Sequence, residues 1–172
     1  DGLGERHHAT DATGVVRELL RIRPDLTQVP AFEFALRERV SRLSEFRHPY
    51  FAPARAVERL VDGDATLGLV SDRLEGFRLS DLFARAAVRG LNLDINAAVC
   101  LLRQVVPAIA RFHEACRDVA HGALGPERVV LTPHGRLMVT EYVLGAALEQ
   151  LHYSQERYWR DLRIAVPRSA GL

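Results

Sequence analysis

The side chains with the most chemical content fall late in the chain: His121, Glu127, Arg128 and Glu141. A carboxylate such as Glu141 can hold a metal ion or accept a proton, whereas a guanidinium has five donors and no acceptor, so Arg128 attracts anions and repels cations. The chain contains no lysine, and its 23 basic residues are all arginine. No ammonium is therefore available anywhere to grip a phosphate. His7, His8, His48, His113, His134 and His152 show no ligands one turn apart on a helix. Cys100 and Cys116 make neither a metal spacing nor a disulfide framework.

These residues must be positioned by something, and the pattern of the chain says what. Residues 4–23 read as two strands flanking the turn signal Asp11-Ala12-Thr13-Gly14, with Pro24 ending the second. Over residues 30–46, Phe32, Leu36, Val40 and Leu43 recur at spacings of three and four, which predicts an amphipathic helix. Two more strands, 51–60 and 65–71, joined by the polar turn 61–64, complete a small sheet. Ser80 is a candidate helix N-cap. A long helix follows over 94–113, with Ile95, Ala98, Val99, Leu102, Val106, Ile109 and Phe112 as one stripe expected to be buried. Pro107 should kink it. Thr132-Pro133-His134-Gly135 has the residues of a type I turn between strands 129–131 and 137–139. Ser154 can cap a last helix carrying Tyr158, Trp159 and Leu162, with Trp159 expected in the core.

Composition restricts the function classes. A hydrophobic content of 48% over 172 residues suits one or two compact cores. Net charge is +1, with 22 acidic residues interleaved among the arginines, so no basic field for nucleic acid exists. No apolar run reaches the roughly 18 residues of a membrane span, and no charged-then-apolar leader opens the chain. The expectations are a cytoplasmic location, no nucleic acid and no membrane insertion.

The run from His121 to Val143 resembles the protein-kinase segment from H-R-D-L-K-P-E-N through D-F-G. It registers without a gap: His121, Leu124, Pro126 and Glu127 fall on family positions, and 132–135 on the turn between two short strands. The catalytic positions depart from the family. Ala123 stands at the catalytic aspartate, Gly125 at the loop lysine and Arg128 at the metal-binding asparagine. Glu141 stands at the aspartate of D-F-G, followed by Tyr142 and Val143. Residues 69–76, followed by Leu79, Asp81 and Leu82, resemble the last small-lobe strand, the hinge and the next helix, with Ser71 as gatekeeper. Counting back from His48-Pro49 puts Arg39 at the family's paired glutamate, with Glu38 one residue away. Leu20 or Arg21 falls at the lysine of V-A-I-K, and Arg6 and Glu18 fall at positions that are normally apolar.

The resemblance implies a two-lobed α+β protein-kinase-like fold, truncated at both ends. It comprises a small lobe over 1–71, a hinge over 72–76, and the first part of a large lobe over 77–172. Any nucleotide contacts would come from Ser71, Asp72, Arg73, Leu74 and Val130. His121, Tyr142 and Leu43 would form a packing spine, and Arg128 paired with Glu141 would substitute for the metal site. The implied function is a bacterial-type pseudokinase, with no catalytic residues, no metal and no cofactor, that engages a protein partner or other domains of its own polypeptide. The alternative is an active, noncanonical protein kinase or nucleotide transferase that binds ATP and Mg.

Overall fold

The computed structural model describes residues 2–61, 66–92, 94–115 and 123–164. Its small lobe is a four-stranded antiparallel sheet in the order β1-β2-β4-β3, built from β1 (Gly4–Thr10), β2 (Val16–Ile22), β3 (Ala54–Leu60) and β4 (Thr66–Asp72). Asp11 makes the first hairpin turn. Its carboxylate accepts from the amides of Thr13 at 2.9 Å and Val15 at 3.0 Å, while Gly14 supplies the left-handed φ of +83° that a side chain would resist. The short helix α1 (Pro24–Thr27) follows β2, and α2 (Pro30–Arg42) lays Phe32, Leu36 and Val40 against the sheet residues Leu20, Ile22, Val57, Leu67 and Leu69. Both helices begin at proline, whose missing N–H costs nothing in a first turn.

The large lobe begins with β5 (Phe77–Arg78), which pairs with β6 (Val129–Leu131) and β7 (Leu137–Val139) in a second small sheet. Helices α3 (Leu79–Val88) and α4 (Ile95–Ala115) intervene, and a 3-10 turn (Pro126–Arg128) precedes β6. The last described elements are α5 (Gly145–Glu149), the single turn α6 (Gln155–Arg157) and a π-helical turn (Tyr158–Leu162). The lobes are stitched by backbone: the Ala52 amide donates to the Val139 carbonyl at 2.9 Å, and the Val139 amide to the Tyr50 carbonyl at 2.7 Å. Beside that seam, Phe46, Phe51, Phe112 and Tyr142 form an aromatic cluster with centroids 5.3–5.6 Å apart. Edge-to-face rings at this spacing attract beyond their buried area.

Several sequence expectations change. Most of the α4 stripe is not buried: Ile95, Val99, Leu102 and Val106 are exposed, Ala98 and Ile109 are half-buried, and of the stripe only Phe112 is fully buried, beside Ala108. Periodicity reports a face able to bury, not the partner that would bury it. With 21 residues, α4 is also long and apolar enough by length and composition to cross a membrane, although Arg103, Gln104 and Arg111 interrupt it. Helix α3 starts at Leu79 with Arg78 in the cap position and no side-chain cap, so Ser80 lies inside the first turn. Ser154 does cap α6, accepting from the Arg157 amide at 3.2 Å. Trp159 is exposed, while Tyr158 and Leu162 take the core positions and the Tyr158 hydroxyl donates to the Leu148 carbonyl at 2.5 Å. His121, Cys116 and all but the first residue of the turn expected at 61–64 lie outside the described residues.

Candidate functional site

Arg6 and Glu18 come from neighbouring strands of the small lobe. In the β1–β2 register Arg6 faces Leu20 and His8 faces Glu18, so the two charged residues are diagonal neighbours on one face of the sheet. Across the cleft stand Arg78 at the end of β5, Glu127 and Arg128 in the turn before β6, and Glu141 just after β7. These six side chains meet. Arg6 Nε donates to Glu141 Oε1 at 2.6 Å and its Nη2 to Oε2 at 2.8 Å, a bidentate fork. Arg128 Nε lies 3.2 Å from Glu141 Oε2, and Arg78 Nη2 lies 3.9 Å from Oε1. Arg78 also pairs with Glu18 and donates to the Glu127 carbonyl at 2.5 Å and the Thr140 hydroxyl at 3.2 Å.

Glu141 is 1% exposed and Arg128 wholly buried, so each charge depends on its partners rather than on water. Burial pushes the Arg128 guanidinium below its usual pKa, against the pull of Glu141 and Glu127. Burial acts on Arg6 in the same direction, but its bonds to Glu141 and the charges of Glu18 and Glu127 prevail, and its pKa is raised. Glu127 pairs with Arg128, and Gly125 makes room for it: a Cβ at 125 would sit 2.6 Å from the Glu127 carboxylate oxygens. Ala123 is buried and contributes only its carbonyl, which accepts from Arg128 Nη1 at 3.1 Å. Glu141 has a φ of +54°, in the left-handed region that non-glycine residues rarely adopt. Chemically the cluster neutralises itself and locks side chains. Each guanidinium faces at least one carboxylate.

Comparison with known proteins places this geometry. No family model matches the chain. The CBL-interacting protein kinases 16 and 19 of Oryza sativa subsp. japonica are 36% and 30% identical to it over 116 and 117 residues, 67% and 68% of this chain. The chain spans 23% and 21% of those proteins. Among solved structures, the Mycobacterium tuberculosis PknI kinase domain superposes with a TM-score of 0.67 at 18% identity, covering 90% of this chain and 57% of that one. The kinase domain of maize SIRK1 bound to AMP-PNP gives 0.61 at 18% identity, covering 84% and 49%. The chain is a partial protein-kinase-like domain. Two lobes joined beneath β4 are its framework.

Within this kinase-like domain, Leu20 is buried beneath the sheet next to Arg21, and Arg39 is buried on α2 while Glu38 pairs with Arg42 at 3.4 Å. Ser71 lies on β4 between Glu18 and Ala54, and its hydroxyl is buried without a hydrogen-bond partner. β4 extends one residue past it, to Asp72, whose carboxylate is taken by Arg17 and Arg55. Arg73 is exposed and Leu74 half-buried, and Val130 is buried in β6 opposite Arg78 and Met138. Leu43 and Tyr142 are both buried in the core that the lobes share. Arg78 and Glu127 were missed as members of the charged cluster. Nothing in the local sequence marks Arg78, because its acidic partner Glu18 is 60 residues away.

Proposed function

We propose that this kinase-like domain is a pseudokinase, acting in the cytoplasm as an interaction or allosteric module toward a protein partner or other domains of its own polypeptide. The observation that carries the reading is the state of Glu141: both of its oxygens are engaged by arginines, at the position where the fold family places a metal-binding aspartate. A divalent cation does not fit there. It would have to displace Arg6 and lie against the buried guanidinium of Arg128, which has no lone pair to offer. A triphosphate fits no better, since Arg6, Arg78 and Arg128 are already matched by Glu18, Glu127 and Glu141. Ala123 has no group to take the proton of an attacking hydroxyl, and the lysine-free sequence supplies no ammonium.

A thermal-shift titration with ATP and Mg²⁺ or Mn²⁺, run beside an assay for phosphate or AMP transfer, tests this. Ligand binding the native state at 100 times its dissociation constant would add about 2.7 kcal/mol and raise Tm by several degrees. The expected result is no shift and no transfer. Transfer that disappears in Glu141→Ala would replace the proposal with a noncanonical kinase or nucleotide transferase.

A further inference from the structure

The four charges that cross the cleft alternate in sign on both sides. The small lobe presents Arg6 and Glu18 as diagonal neighbours, and the large lobe presents Glu141 and Arg78 with 3.9 Å between their nearest charged atoms. Positive meets negative at each position. We propose that these contacts form a two-point latch, Arg6 to Glu141 and Glu18 to Arg78, and that its release sets the opening of the cleft without any nucleotide.

Both points are shielded, with side-chain exposures of 16% and 2% at the first and 12% and 15% at the second, so salt screens them weakly. Glu127 and Arg128 fix the large-lobe half from behind, where Arg128 is held by the Ala123 carbonyl as well as by Glu141. Opening would strip Glu141 of its bidentate partner while leaving it beside a buried guanidinium. Arg78 keeps its bonds to the Glu127 carbonyl and the Thr140 hydroxyl on its own lobe, so an opened cleft offers Arg6 as the guanidinium for a partner's carboxylate. The latch rests on the ion pairs and not on catalytic status. Phosphate transfer by this domain would overturn the pseudokinase reading and leave the latch standing.

Amide hydrogen exchange on residues 1–172 tests it, with Glu18→Gln, Arg78→Gln and the double variant compared against the unaltered chain. The latch requires each single change to speed exchange at least tenfold in the cleft-facing segments 4–10 and 139–142 while β3 and α2 keep their protection. Because Glu18 and Arg78 make the same point of the latch, the double variant should be no faster than the faster single. Arg6→Gln, at the other point, should give the same local pattern. Unchanged exchange at the cleft, acceleration spread evenly over the molecule, or effects of the two changes that simply multiply would each overturn the proposal.

Discussion

Glu141 sits where its backbone is unfavourable, in a left-handed conformation that costs a non-glycine residue about 1–2 kcal/mol. Its carboxylate lies between two guanidiniums, those of Arg6 and Arg128. Removing it in Glu141→Ala leaves Arg128 buried beside no compensating charge but Glu127. Breaking a buried pair from one side costs about 3–5 kcal/mol, and urea unfolding of the variant should show a loss of that size. Replacing both residues, as in Arg128→Met with Glu141→Leu, should recover only part of it, because Arg6 and Glu127 then lose the partners that Glu141 and Arg128 gave them. Sequence alone suggested that Arg128 and Glu141 could meet. It did not reveal that Arg6 completes the site from 135 residues away, since no local period links residues that far apart.

At the scale of elements, turns and strand ends proved the most readable, because their signals are local. Asp11 to Gly14 and Thr132 to Gly135 each contain the residues that close their own hairpin, the second through the Gly135 amide donating to the Thr132 carbonyl at 2.9 Å. The burial of α4 was not readable, since it depends on which chain lies against the stripe. Asp72 ties three strands: Arg17 of β2 and Arg55 of β3 both reach it from either side of β4. Hydrogen bonding from Arg55, followed by the charges of both arginines, holds its carboxyl below the usual aspartate value of 3.8. A lowered folded-state pKa gives stability that is present above the unfolded value and lost as pH falls through the folded one. Asp72→Asn should therefore cost about 0.5–1 kcal/mol near neutrality. The variant and the unaltered chain should converge in an acid titration followed by circular dichroism, once pH has fallen through the lowered Asp72 pKa.

At the scale of the whole molecule, the two lobes meet across the cleft, and among the described residues α4 carries a large apolar surface. Ile95, Val99, Leu102 and Val106 project from a helix whose other side carries Ala108 and Phe112 into the core. Leu102→Glu in residues 1–172 should leave unfolding free energy within about 0.5 kcal/mol and improve solubility, whereas Ala108→Glu should prevent folding by burying an unpaired carboxylate. Equal damage from both, read by chemical denaturation, would mean the stripe is covered after all. The arginine-only cleft has a chemical consequence of its own. The Arg6 guanidinium, whose pKa is raised, keeps its proton through any alkaline shift a cell can impose, and arginine resists the acetyl donors that cap lysine amines, so this contact between the lobes is deaf to both.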